Sequence, residues 1–171
     1  MIRLLASVTA AFLMTACATT PPGPTASTQL MATTGNAVTG QVQFTQKGDK
    51  VFVTGEVRGL KPNAEHGFHV HEKGDCSSGD GMSTGGHFNP DGRTHGAHDQ
   101  SEHHAGDLPS LKADSNGTAR FSFESGTISV GAGGADVVGR GLIVHRDPDD
   151  YKTQPTGNSG PRMACGVISR R

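Results

Sequence analysis

The segment Gly67-Phe68-His69-Val70-His71 places two imidazoles two residues apart. In an extended strand, side chains at i and i+2 leave the same face about 6–7 Å apart, so His69 and His71 can converge on one ion. A bare His-x-His pair arises by chance on exposed strands. Here His87, His95, His104 and Asp107 follow in one glycine-punctuated run, and His145 comes later on a second apolar strand. Clustered neutral imidazoles with one carboxylate have the donor chemistry of a transition-metal centre.

Strands and turns must position these donors. The 171 residues include 25 Gly, one Tyr and no Trp, with few helix-forming runs, which predicts an all-β chain. Strand-like alternation over 38–45 and 51–57 flanks the turn Lys47-Gly48-Asp49-Lys50 and reads as a hairpin. Further strands are expected at 65–71, 119–123, 127–130, 137–145 and 163–169. Between them, 72–111 and 147–161 are long, polar and almost without apolar periodicity, and loops of that length need a purpose. Short strands carrying two long loops suggest a β-sandwich or flattened barrel.

Ahead of this domain, Met1-Ile2-Arg3 and the apolar run to Met14 read as an export signal too short to span a bilayer permanently. Met14-Thr15-Ala16-Cys17 resembles a bacterial lipobox, with Cys17 as the lipid-bearing residue; Met14 stands where Leu is usual. Residues 1–17 are therefore assigned to export, 18–34, rich in Pro, Thr, Ser and Ala, to a flexible tether, and 35–171 to a single folded domain. With Cys17 taken by lipid, Cys76 and Cys165 remain as a pair, and an exported chain would join them as a disulfide. Net charge is −1 and no Lys/Arg run is present, which argues against a nucleic-acid partner.

His66-Gly67-Phe68-His69-Val70-His71, Gly86-His87-Phe88-Asn89-Pro90, Thr94-His95-Gly96, His104-Ala105-Gly106-Asp107-Leu108, Gly141-Leu142-Ile143-Val144-His145 and Arg162-Met163-Ala164-Cys165-Gly166-Val167-Ile168 closely resemble the copper-zinc superoxide dismutase family, in family order, and specifically its bacterial secreted branch. The resemblance implies a Greek-key sandwich with a metal-binding loop and an electrostatic loop. It implies one copper per subunit on His69, His71, His87 and His145. It also implies one zinc per subunit on His87, His95, His104 and Asp107, a closed set of three nitrogens and one oxygen suited to a structural site. His104 is chosen over His103 because only His104 keeps the spacing to Asp107.

By the same resemblance His87 bridges the metals, Asp149 orients ligands by accepting their N–H groups, and Arg162 stands at the mouth of the copper site to attract an anion. Lys152 would add to steering. His66 matches no ligand and reads as a hydrogen-bonding structural residue. His98 and His103 read as solvated loop residues or as aids to metal capture.

The implied reaction is dismutation of superoxide to O₂ and H₂O₂ by alternating Cu(II) and Cu(I), with His87 as proton carrier, in the bacterial cell envelope on the periplasmic side. A rival reading is an envelope lipoprotein that buffers or delivers copper and zinc without turnover. A copper-only relative would lack His95, His104 and Asp107, all present here. The sequence leaves monomer and homodimer both open.

Overall fold

A computed structural model describes residues 23–171. The export segment and Cys17 lie outside the described residues. Among the described residues are ten strands, β1 (Thr25–Ala32), β2 (Thr39–Lys47), β3 (Lys50–Arg58), β4 (Glu65–His66), β5 (Phe68–His71), β6 (Leu111–Lys112), β7 (Ala119–Ser125), β8 (Gly141–His145), β9 (Arg162–Val167) and β10 (Ser169–Arg170), and one 3₁₀ turn at Met82–Thr84. The expected all-β class holds.

The hairpin predicted from alternation is β2–β3, closing where Lys47 faces Lys50 with Gly48 at φ 60°. Its period of two sends Val42, Phe44, Val51, Val53 and Val57 into the core, each 0% exposed. Burying such side chains stabilises by about 1.5–3 kcal/mol each. β7 extends the hairpin, with Val53 opposite Phe123. Phe121 meets Phe68 edge-on with ring centroids 5.3 Å apart, joining this half of the core to β5.

The pairings between these ten strands are all antiparallel, in the order β5-β8-β9-β1-β2-β3-β7, with β10 also on β1 and β4 paired to β6. This non-sequential order is that of a Greek key. β1 joins the two halves: Thr25 to Leu30 pair with β2, Ala26 and Ser27 also with β10, and Met31 and Ala32 with β9.

That placement corrects the expected tether of 18–34 over its described part, 23–34, while 18–22 lie outside the described residues. Ala26, Thr28 and Leu30 alternate inward and are buried, so β1 belongs to the packed domain. The small and polar side chains between them concealed the pattern. Two other expectations fail. Residues 127–130 form no strand but a single parallel bridge from Ser129 to Asp136, and Val137 and Val138 precede β8 rather than belonging to it.

The long segment after β5 lies along that strand's free edge. Val70 N–H donates to Gly106 O at 2.9 Å, Phe88 N–H to Val70 O at 2.8 Å and Glu72 N–H to Gly86 O at 3.0 Å. Phe88, Ala105 and Leu108 enter the core. Backbone pairing and apolar anchors therefore order this loop in addition to anything a metal contributes.

Candidate metal centre

His69 and His71 leave β5 on the face opposite Phe68 and Val70, and all four side chains are fully buried. His145 ends β8, beside a register shift between Val144 and His145 that pairs His145 with Arg162 rather than Met163. A bulge re-aims the side chains around it, and this one sets Arg162 alongside His145. His87 and Asp107 reach β5 from the loop through isolated bridges to His71 and His69.

Two donor sets result, each with its ligand atoms within 4.8 Å of one another: His69, His71, His87, His145, and His87, His95, His104, Asp107. His87 belongs to both. Its Nδ1 lies 2.7 Å from Asp107 Oδ1, and its buried Nε2 has no hydrogen-bond partner. His69 Nδ1, His95 Nδ1 and His104 Nδ1 are likewise buried without hydrogen bonds. The nitrogens of His95 and His104 lie 3.0 and 3.3 Å from Asp107 oxygens, close but not aligned for hydrogen bonding. Buried polar atoms are nearly always satisfied, so lone pairs converging on common points fit metal ions.

The opposite ring nitrogens fix the tautomers. His69 Nε2–H donates to Asp149 Oδ2 at 2.7 Å, and His95 Nε2–H to Asp149 Oδ1 at 2.9 Å, so one carboxylate orients a member of each set. His71 Nδ1–H donates to Gly85 O at 3.0 Å and His145 Nδ1–H to Gly160 O at 3.1 Å. That turns their Nε2 atoms toward each other, 3.4 Å apart. Tyr151 N–H adds a third donor to Asp149 at 2.7 Å. Gly157, at φ +61°, has no room for a side chain, because a Cβ would strike Asp149 Oδ1 and His95 Nε2.

Burial holds His69, His71 and His145 below the ordinary imidazole value and pushes His87 down to about 3, so these four favour the neutral, metal-binding form. Burial would lower His95 too, but Asp107 and Asp149 on either side outweigh it and raise it to about 9. Asp107 and Asp149 are held far below the usual carboxylate range, burial being overcome by the hydrogen bonds they accept.

Arg162 is half-buried. Its Nη1 donates to Gly81 O at 2.5 Å and Thr84 Oγ1 at 2.8 Å, and its Nη2 to Gly85 O at 2.7 Å. Gly85 O thus receives both Arg162 and His71. A fixed guanidinium beside two neutral imidazoles is a charge placed for an anion.

Cys76 and Cys165 form a disulfide. His66 is buried, its Nδ1–H donating to His145 O at 3.0 Å, the expected structural part. Neither His98 nor His103 is a solvated loop residue. His103 is buried with Nδ1–H on His104 O, and the half-buried His98 ring lies between Asp107 O and Glu124 O at 3.0 and 3.1 Å. Lys152 is exposed, and its hydrogen bonds are made by its backbone to Asp150 and Gln154. Sequence reasoning missed Gln154, Gly157 and the carbonyls of Gly81 and Gly85; none carries a local pattern that would reveal its part.

A Greek-key β-sandwich holding two donor sets that share one imidazole, with a buried-edge arginine beside one of them, defines a bimetal redox enzyme. Residues 38–168 match the family described as copper/zinc superoxide dismutase (SODC). The chain is 46% identical over 138 residues to superoxide dismutase (Cu-Zn) 2 of Brassica juncea, covering 77% of this chain and 89% of that one. It is 42% identical over 137 residues to a superoxide dismutase (Cu-Zn) of Paramecium bursaria Chlorella virus 1, covering 77% and 72%. The crystal structure of the clock protein EA4 superposes with a TM-score of 0.78 at 40% identity, covering 91% of this chain and 99% of that one. The chain belongs to the copper/zinc superoxide dismutase family; its function is superoxide dismutation, an oxidoreductase activity with copper and zinc as cofactors.

Proposed function

We propose that this chain is an exported dismutase of the family's bacterial secreted branch, anchored by lipid at Cys17 on the periplasmic side of the envelope, where it removes superoxide. The pairing of Cys76 with Cys165 supports this reading, because it leaves Cys17 as the one cysteine to be explained, directly after an export-like segment.

The observation that carries the chemistry is His87, which belongs to both donor sets, its Nε2 buried without a partner and its Nδ1 2.7 Å from Asp107 Oδ1. His69, His71, His87 and His145 would hold copper, and His87, His95, His104 and Asp107 would hold zinc. Copper in an all-imidazole site supplies one-electron cycling between Cu(II) and Cu(I). Arg162 draws the superoxide anion to the edge of the His71 and His145 rings and orients it there. His87 can carry a proton on Nε2 to the reduced dioxygen while Nδ1 stays within the zinc set. Asp149 keeps His69 and His95 from turning as that proton moves.

The test is the decay of a superoxide pulse over the copper- and zinc-loaded domain as ionic strength is varied. We expect catalytic decay that slows with added salt, because a small anion is steered by focused positive potential. Arg162→Glu should cut the rate by about tenfold or more and flatten the salt dependence with both metals still bound. Consumption that stops after one equivalent per copper would instead identify a protein that buffers metal without turnover.

A further inference from the structure

We infer that Gln154 is a positioning residue for the zinc ligand His95: its amide clamps the main chain of His95 and makes zinc binding and the order of the 147–161 loop a single event. The inference rests on His87, His95, His104 and Asp107 being the zinc set. His95 lies in an irregular stretch, and its backbone N–H and C=O have no backbone partner among the described residues. Gln154 supplies both. Its Oε1 accepts His95 N–H at 2.9 Å, and its Nε2–H donates to His95 O at 2.9 Å. A second Nε2 contact, to Lys152 O at 3.4 Å, ties the clamp to its own loop.

The side-chain amide thus does for one residue what a neighbouring strand would do. An unpaired backbone group in such a place is costly, and two complementary bonds set the peptide planes on both sides of the ligand. Asp149, on the same loop, grips the ring of His95 from the other end. With ring and backbone both held by 147–161, His95 cannot turn its Nδ1 away from Asp107 without moving that loop. The segment in turn carries Asp150, whose carboxylate accepts from Lys152 N–H at 2.9 Å and Thr153 N–H at 2.8 Å, so the turn presenting Gln154 is itself built.

Three measurements on the full chain with its disulfide intact test this: zinc affinity by chelator competition, the visible spectrum of Co(II) in the zinc set, and exchange of the His95 amide. Gln154→Ala should weaken zinc binding about tenfold, as loss of a partner behind a ligand does. It should also alter the Co(II) bands and expose the His95 amide, while copper affinity, which meets the loop through Asp149 and Gly160 O, falls less than zinc affinity. Gln154→Glu, which keeps the acceptor for His95 N–H but loses the donor to His95 O, should fall between. Unchanged zinc affinity and Co(II) spectrum in Gln154→Ala would overturn the proposal, as would a parallel loss of copper, zinc and thermal stability, which would mark Gln154 as general support. A wild-type chain that bound no zinc would overturn the metal assignment beneath it.

Discussion

Two histidines on the same loop lean in opposite directions, and the metal-free chain should record both. His69, His71, His87 and His145 are held neutral by burial, so an unfolded chain takes up protons at these positions below about pH 6.5 that the native chain refuses. A depressed folded value gives stability that is present above about pH 6.5 and is lost as pH falls, towards about 3 in the case of His87. Asp107 and Asp149 act with the same sign below about pH 4. His95 has the opposite sign: raised to about 9, its charged form stabilises fully below about pH 6.5, and that contribution disappears as pH rises through 9. The chelator-treated chain should therefore lose stability on both flanks and more steeply in acid, where several groups act together. Urea midpoints from pH 4 to 9 would read this. Copper and zinc loading should extend the acid limit, because bound ligands must be deprotonated. A flat midpoint between pH 7 and 4 without metal would contradict a buried neutral cluster.

At the scale of elements, β1 places residues 25–32 inside the packed domain. If residues up to 34 were a tether, trimming Leu30 would change nothing. Because Leu30 is 0% exposed and β1 spans both halves of the barrel, Leu30→Ala should cost about 2–5 kcal/mol, seen as a fall in urea midpoint at constant slope. The contrast shows what the sequence could reveal. His69 and His71 were legible because a two-residue spacing is fixed by strand geometry, and the β2–β3 hairpin because its alternation and turn residues agree. β1 was hidden because its inward positions are Ala26, Thr28 and Leu30, and because its partners, β2, β9 and β10, mostly lie far along the chain. The grip of Gln154 on His95, across 59 residues, leaves no local trace either. The bulge at His145, which brings Arg162 alongside, is likewise a property of two paired strands and not of either alone.

At the scale of the whole molecule, the disulfide makes the substrate-facing charge depend on chain connectivity. Cys76 and Cys165 are 89 residues apart in sequence, a closure for which chain entropy gives on the order of 4–5 kcal/mol, with measured losses of about 2–5 kcal/mol for removal of native bridges. The bridge fastens the start of the 72–86 segment to β9, and that segment supplies Gly81 O, Thr84 Oγ1 and Gly85 O to Arg162, itself on β9. Replacing both cysteines by serine should therefore act at two places at once. Stability should fall by about 2–5 kcal/mol. The carbonyls around Arg162 should also loosen, so that the guanidinium no longer holds one position beside His71 and His145. The zinc donors depend less on this bridge, because the segment bearing them is paired to the opposite edge of β5 and held by Gln154 and Asp149. Zinc content should persist while the rate of superoxide decay falls and its salt dependence becomes shallower, compared at a temperature where the variant remains folded. A double-serine variant with an unchanged salt slope would mean that β9 and the bulge alone fix Arg162, and that the bridge stabilises the fold without setting the charge.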